Sequence, residues 1–502
     1  MNNGKICISV CAETADEILT KIKSAEDLAD IIEIRLDCVA NEQFFKTFAF
    51  LVSKKLLLLT YRPKEQGGKI EADKQQRIVF WNVLPVNGLL NKRKFWIDCE
   101  YDLKSEILNL KFKKIISFHD FKKAPQNLEL IFDSLFEKNS VSKIAVQANE
   151  ITDSLAVWKL LEKAKSENKQ LIPIAMGEAG KWTRILGLAH GSPLTYASLE
   201  TGNETAPGQI SAKDLIDVYR VKQLNEQTGI YGIIGNPVSH SLSPYMHNAA
   251  FKHYGLNAVY IPFEVTNLDE FIKRMVREET REIDWNLQGF SITIPHKEAI
   301  MKHLDFIDDD AKEIGAVNTV KIVDKRLCGY NTDAHGFIEP LRNSYGDLKD
   351  ANIGIIGNGG AARACLYALK KDGANVTIFA RNIKKASKLA DEFDVKLEPI
   401  ENRKSKIENI DILVNTTPLG TVGNSENKTP ATAEQIKNIQ LAYDLVYNPF
   451  ETLFLREAKS VDIPTIGGLA MLVAQGTKQF EIWTELDAPM QIMSLTALQR
   501  LK

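Results

Sequence analysis

Short apolar runs alternate with amphipathic ones along the first 219 residues of this chain. The runs "KICISV", "IIEIRLD", "LLLLTYR", "FWIDCE", "KIISFHD", "KIAVQA", "LIPIAMG" and "LTYASL" read as strands. Most are separated by segments with helical periodicity, such as "SLAVWKLLEKAKSEN" from Ser154. That makes about eight βα units, the number that builds a (β/α)8 barrel of the triosephosphate isomerase type. The polar stretch "VKQLNEQTG" from Val221 predicts a helix end and a short linker. Beyond it, two stretches share their first four letters: "IIGNPVSHSLSP" from Ile233 and "IIGNGGAARA" from Ile355. Each is an apolar strand meeting a sharp Gly-Asn turn, followed by different chemistry.

Length and charge narrow the class. A chain of 502 residues predicts about three domains. Lys+Arg 63 against Asp+Glu 65, without long runs of one sign, leaves no electrostatic footprint for nucleic acid. The six cysteines (Cys7, Cys11, Cys38, Cys99, Cys328 and Cys365) are scattered and lack zinc-type pairing, so a reducing, cytoplasmic setting is expected. The amino terminus enters a strand almost at once, and no apolar run approaches a membrane span, so neither a targeting segment nor a membrane association is expected.

In a (β/α)8 barrel, function gathers at the C-terminal ends of the strands. Here those ends carry Glu33, Arg35 and Asp37, then Arg62, then His119 and Asp120, and Lys143 enters the sixth strand. Singly, a lysine at a strand start reads as a solvated flank and a histidine at a strand end as structural. Together they define a chemistry. A lysine buried among Arg35, Arg62 and Arg184 has its ammonium form disfavoured by desolvation and like charge, which frees an amine to attack a ketone. His119 is placed to shuttle protons, and the arginines suit a carboxylate substrate.

The motifs "EIRLD", "TYRPKEQGG", "ISFHDF", "SKIAV" and "TAPGQ", in this order over nearly all of the first 220 residues, resemble type I 3-dehydroquinate dehydratase. The resemblance implies that Lys143 forms a Schiff base and that His119 transfers protons. It implies that Glu33, Arg35, Arg62, Arg184, Thr205 and Gln209 bind substrate. In one respect the chain departs from the family: Gln66 stands directly before the paired glycines where Glu is common, and Glu65 lies one place earlier.

After the linker, "GNPVSHSLSPYMHNAAFKHYG" predicts a hydroxyl-rich turn and a helix starting near Pro244. Ser241 and Ser243 read either as capping groups or as a carboxylate-binding pair, and His240 and His247 lack a third metal ligand at usable spacing. Thr293 and Lys297 in "SITIPHK", Asn318 in "GAVNT" and Asp333 in "NTD" place polar groups at strand ends. An adjacent lysine and carboxylate can protonate the alkoxide formed when hydride reaches a carbonyl. The segment "NIGIIGNGGAARACLYALKKDGANVTIFAR" is a strand, a glycine-rich turn, a helix and a second strand, the context a dinucleotide turn requires. Its second strand ends in Arg381 rather than an acid, which suits the 2′-phosphate of NADP.

"HSLSP", "TIPHK", "GAVNT", "NTD", "GNGGAARA", "NTTPLG", "DLVYNP" and "GGLAMLVAQ" follow the order of shikimate dehydrogenase from Ile230 to the end of the chain. That resemblance implies Lys297 and Asp333 as the catalytic pair. It implies Ser241, Ser243, Thr293, Asn318, Tyr447 and Gln475 around the acid substrate, and Gly357, Asn358, Gly359, Gly360, Ala361 and Arg381 around NADP. Ser291 stands where Asn is usual, and "ARN" replaces a common "NRT".

The expected architecture is α/β throughout: a (β/α)8 barrel at 1–222, then a two-lobed dehydrogenase. Its α/β substrate domain spans 229–334, completed by 468–502, and its NADP-binding Rossmann domain spans 335–467. The expected partners are the small molecules 3-dehydroquinate and 3-dehydroshikimate or shikimate, with NADPH as cofactor and no metal. Quinate-type specificity in the second half, and a metabolite sensor without turnover, are the competing readings. Oligomeric state is not legible in the sequence.

Overall fold

A computed structural model describes residues 2–44, 46–47, 53–86, 95–107, 112–402 and 407–501. The chain divides into two compact units, one of residues 1–230, 235–239 and 257–287, the other of 231–234, 240–256 and 288–502.

The first unit is built on nine parallel strands: β1 Lys5–Val10, β2 Ile31–Arg35, β3 Leu56–Thr60, β4 Phe95–Glu100, β5 Lys113–Asp120, β6 Val141–Gln147, β7 Leu171–Met176, β8 Leu194–Ser198 and β9 Ile210–Ser211. Their order, β7-β6-β5-β4-β3-β2-β1-β8-β9, curls the sheet so that the last full strand returns beside the first. All eight strands expected of the barrel are present. Among the described residues no ladder joins β7 to β8. The seam is bridged instead by the loop before β9, where the Gly177 N–H donates to the Pro207 carbonyl at 3.3 Å. A Cβ on Gly208, which has φ +72°, would lie 2.4 Å from the Gly177 oxygen, so this close approach requires glycine. The strands are almost continuously apolar because parallel strands with helices outside are buried on both faces. Cys7, Ile31, Leu58, Ile115, Val141, Ile172 and Tyr196 belong to one buried cluster.

Local signals start the helices. Thr14 caps Ala15–Ala25 through the Glu17 N–H, and the Glu17 carboxylate accepts from the Thr14 N–H. Although the cysteines are scattered along the chain and a reducing setting is expected from the sequence, Cys11 and Cys38, just beyond β1 and β2, form a disulfide. Spacing alone could not reveal it, because only the parallel pairing of β1 with β2 brings the two strand ends together.

The first unit also holds the strand Ala258–Glu264, where the Arg220 guanidinium donates to the Ala258 carbonyl at 2.7 Å. Trp285 packs on Trp182 and Phe263.

The second unit carries two sheets. We number its strands β10 Gly229–Gly235 (residues 231–234 in this unit), β11 Leu287–Ile292, β12 Phe306–Ile307, β13 Thr319–Val323 and β14 Arg326–Tyr330. In the first sheet they follow the order β10-β11-β13-β14-β12. The helix Ser243–His253 starts with Pro244 in its first turn, as expected. The second sheet comprises β15 Asn352–Ile356, β16 Asn375–Ala380, β17 Lys396–Pro399, β18 Ile412–Asn415, β19 Leu441–Asp444 and β20 Thr465–Ile466. It is parallel, in the order β17-β16-β15-β18-β19-β20. Numbered from its first strand this is 3-2-1-4-5-6, the order of dinucleotide-binding folds, with the switch point between β15 and β18. The helix Gly468–Thr484 returns to the first sheet, where the Trp483 indole donates to the Val320 carbonyl at 3.0 Å.

Candidate functional sites

In the first unit one cavity is lined by Glu33, Arg35, Arg62, His119, Lys143, Arg184, Thr205 and Gln209. The alternation of side chains along parallel strands explains how residues from β2, β5 and β6 converge. Lys143 is 5% exposed and its ammonium reaches Asp98 Oδ2 at 2.9 Å. The same oxygen lies 2.8 Å from Arg62 Nη2, and the Ser117 hydroxyl donates to Asp98 Oδ1 at 2.5 Å. Asp98 thus serves two cations at once. Burial holds Lys143 below the ordinary lysine range, with Asp98 opposing and Arg62 adding to the depression. Burial also keeps His119 well below the usual histidine value, helped by Arg62 and Lys143, so its ring is neutral and can accept a proton. Arg62 Nη1 meets that ring.

Glu33 is held by the Ser9 hydroxyl at 2.5 Å and the Thr60 hydroxyl at 2.7 Å. Arg35 is clamped by Asp37 through two bonds of 2.9 and 2.7 Å. The Thr205 N–H and hydroxyl both donate to Gln209 Oε1. Arg184 differs from the other cations: it is 2% exposed, donates to the Pro207 carbonyl at 3.2 Å, and has no acidic partner among the described residues. Burial brings it down to about 10. Gln66 lines the cavity, whereas Glu65, with a side chain 70% exposed, faces Arg77 at 3.9 Å and is absent from the lining.

Asp98 was not singled out from the sequence, nor were Ser9, Thr60 and Tyr196. The signal for Asp98 was present: an acid in the middle of the apolar strand "FWIDCE" is anomalous unless it is paired.

In the second unit Lys297 and Asp333 form an ion pair. The Asn318 amide donates to Asp333 Oδ1 at 2.8 Å and to the Thr332 hydroxyl at 3.0 Å. The Val317 N–H holds the Lys297 carbonyl at 2.8 Å, and Asn331 Oδ1 accepts from the Asp333 N–H that opens the helix Asp333–Tyr345. The Ser241 hydroxyl accepts from the Ser243 N–H at 3.2 Å, a local turn contact that does not cap the helix, and Ser243 is buried. Thr293, at the end of β11, is tied to β10 through the Ile234 carbonyl. Gln475 packs against Gly336, where a Cβ would approach its backbone N to 2.8 Å, so it lies beside the helix carrying Asp333. Tyr447 follows β19, and burial raises its phenol. Ser241, Thr293 and Tyr447 make no direct hydrogen bond to the Lys297–Asp333 pair among the described residues. Unforeseen from the sequence is Gln479, which accepts from the Ser291 hydroxyl at 2.9 Å and donates to the Thr319 hydroxyl at 3.0 Å.

The glycine turn lies at the end of β15. Gly357 has φ +120°, and a Cβ there would lie 2.4 Å from the Thr416 hydroxyl. Nothing lies within 4 Å of a Cβ built on Gly359 or Gly360, which open the helix Gly360–Lys371. Asn358 and Ala361 flank these glycines and are partly exposed. Arg381, directly after β16, is exposed and unpaired with any carboxylate among the described residues.

A parallel barrel with a buried lysine in its cavity, followed by a lysine–aspartate pair and a sheet in dinucleotide-binding order, defines an enzyme with two active centres on one chain. The family comparisons agree segment by segment. Residues 6–226 match Type I 3-dehydroquinase, 233–320 the shikimate dehydrogenase substrate binding domain, 340–445 shikimate / quinate 5-dehydrogenase, and 468–494 the shikimate 5'-dehydrogenase C-terminal domain. The chain is 35% identical over 522 residues to the chloroplastic bifunctional 3-dehydroquinate dehydratase/shikimate dehydrogenase of Arabidopsis thaliana, covering 98% of this chain and 84% of that protein. It is 46% identical over 275 residues to the shikimate dehydrogenase (NADP(+)) of Methanococcus aeolicus, covering 54% of this chain and 97% of that one. A shikimate dehydrogenase crystallised in complex with NADP+ superposes with a TM-score of 0.51 at 41% identity, covering 56% of this chain and 98% of its own. The chain belongs to the bifunctional 3-dehydroquinate dehydratase/shikimate dehydrogenase family.

Proposed function

We propose that the first unit dehydrates 3-dehydroquinate to 3-dehydroshikimate and that the second reduces this product to shikimate with NADPH. The observation that carries the first half is the enclosure of Lys143, His119 and the unpaired guanidinium of Arg184 in one cavity. A buried cation without an acid fits a carboxylate ligand. The Lys143 amine attacks the substrate ketone, and the carbinolamine loses water to leave an imine on Nζ. His119 takes a proton from the adjacent carbon and delivers one to the departing hydroxyl, so the elimination is proton-neutral. Arg35, Glu33, Arg62, Thr205 and Gln209 orient the ring substituents.

The turn at Gly357 fits a dinucleotide. Only glycine meets the backbone and space requirements at Gly357, the Gly359 and Gly360 surface is open, and the helix starting there offers free N–H groups to a pyrophosphate. Asn358 and Ala361 complete this turn, and Arg381 is placed for a 2′-phosphate. NADPH supplies the hydride when bound. Lys297 and Asp333 hold a proton at the substrate oxygen that becomes the alcohol, while Asn318 fixes the Asp333 carboxylate. Ser241, Ser243, Thr293, Tyr447 and Gln475 surround the acid substrate.

The domain reading is a dehydratase at 1–222, a substrate domain at 229–334 completed by 468–502, and an NADP domain at 335–467. No helix among the described residues is long and apolar enough to cross a membrane. A cytoplasmic location is the further part of this reading; Cys7, Cys99, Cys328 and Cys365 are free thiols, while the Cys11–Cys38 bridge weighs against it.

Borohydride reduction with 3-dehydroquinate is expected to trap an adduct on Lys143. Lys143→Ala should abolish dehydration and spare reduction of supplied 3-dehydroshikimate, whereas Lys297→Ala should slow that reduction by about 10²–10⁴-fold and spare dehydration. An adduct on another lysine, or loss of both activities in either variant, refutes the assignment.

A further inference from the structure

Tyr196 stands on β8 opposite Cys7 of β1, is 3% exposed and lines the dehydratase cavity. The Lys143 ammonium sits over its ring at 4.0 Å from the centroid. Its hydroxyl has no hydrogen-bond partner among the described residues. A phenol buried without a partner loses its hydration and gains nothing in the free protein, so an isosteric phenylalanine would suit this core better. Tyrosine is explained if something entering the cavity accepts from its hydroxyl.

The position of Lys143 says what that is. With Nζ 4.0 Å above the ring centroid, a carbon bonded to Nζ lies beside the Tyr196 ring, and an oxygen on that carbon can turn toward the hydroxyl at the ring's edge.

We propose that Tyr196 is a further catalytic residue of the dehydratase, donating a hydrogen bond to the ketone oxygen that Lys143 attacks and to the carbinolamine oxygen that follows. As the nitrogen–carbon bond forms, the carbonyl π pair moves to oxygen and the nitrogen's proton ends there. Tyr196 stabilises the developing charge without giving up its own proton, and water then leaves as the imine forms. Burial, with the nearby Asp98 and Glu33 carboxylates, raises the phenol well above its ordinary value, so it stays a neutral donor throughout the working range. The Lys143 ammonium over the ring is consistent with a face that also suits the iminium cation.

This inference rests on Lys143 being the nucleophile, and the borohydride adduct in the unaltered protein tests that premise separately. The test of the inference is Tyr196→Phe in the full chain, which keeps the ring and removes the oxygen. Dehydration kcat and the rate of borohydride-trappable imine formation should fall about 100-fold, the scale of losing one preorganised donor, with a smaller change in KM. Shikimate oxidation should be unchanged, and the melting temperature unchanged or higher, because no partner of the hydroxyl is lost. Tyr196→Leu, which also removes the ring, should slow imine formation at least as much. Unaltered imine formation in Tyr196→Phe overturns the proposal, and so does a rate loss accompanied by a lower melting temperature, which would mark the hydroxyl as structural.

Discussion

The two centres each set a lysine against an aspartate, in opposite surroundings. Lys143 has a side chain 7% exposed and shares its carboxylate, wholly buried Asp98, with Arg62. Lys297 has a side chain 21% exposed and has Asp333 as its ion-pair partner, itself steadied by the neutral amide of Asn318. Desolvation dominates the first pair. It favours an uncharged amine, as a nucleophile needs, and the aspartate keeps two cations tolerable in the interior. The second pair keeps contact with solvent, as a group that must be reprotonated after each turnover needs. In the proposed mechanism the same two residue types thus serve nucleophilic or proton-transfer chemistry according to burial.

The sharpest way to break this comparison is to neutralise each aspartate. Asp98→Asn leaves two buried cations without their counter-charge and should cost about 3–5 kcal/mol of stability. Asp333→Asn should cost well under that, because water reaches Lys297. Equal losses in urea unfolding of the two variants would show that burial does not separate the sites.

The disulfide offers a second contrast. Cys11 and Cys38 are 27 residues apart, and opening that loop should cost about 3–4 kcal/mol in the first unit. Cys38 follows Asp37, which clamps Arg35, so a dithiol or Cys11→Ser should also weaken 3-dehydroquinate binding. The dehydrogenase, whose Cys328 and Cys365 are free, should keep its activity when both reactions are assayed with and without reductant.

A smaller effect is set by pH. Burial pushes Glu100, beside Arg77, up to about 7 from an ordinary 4.5. The folded chain therefore holds this proton more tightly than the unfolded one, and the associated stability is full below pH 4.5 and lost as the pH rises through 7. The loss amounts to at most about 3 kcal/mol. In Glu100→Gln this part of the slope should vanish from unfolding curves taken between pH 4 and 8. In the second unit Asp444, raised to about 6 by burial, sets a similar slope over a lower window, which Asp444→Asn should remove.

The smallest effect expected is on cofactor choice. Arg381→Ala should raise the KM for NADPH about 10–100-fold, the scale of losing charge-assisted bonds to one phosphate. The KM for NADH should change little and dehydration not at all. Equal loss with both cofactors would make Arg381 a structural residue.

Much of both centres was legible because its signals are local. Eight apolar runs with intervening helical patterns announce the barrel, and "GIIGNGGAARA" between two strands announces the dinucleotide turn, since Gly357 takes a positive φ against Thr416 and Gly359 and Gly360 leave the surface above them open. The lysine, histidine and arginines of the first cavity were legible because ionisable groups on apolar strands need a reason. What was missed depends on partners far away in sequence. Asp98 shares no local pattern with Lys143 or Arg62, and Gln479 reaches Ser291 only when a helix near the end of the chain returns to the first sheet of its unit.

By itself, then, the sequence determined the strand and helix periodicities and the glycine turn, because each follows from spacing along the chain. Tertiary structure decided the rest. It turned Gln66 into the cavity and Glu65 away from it, joined Cys11 to Cys38, filled the seam between β7 and β8 with the loop before β9, and gave Asp98 two cations to neutralise. The physical reason is that burial and charge pairing are properties of a place in space, and residues distant along the chain share such a place only after the sheet has curled.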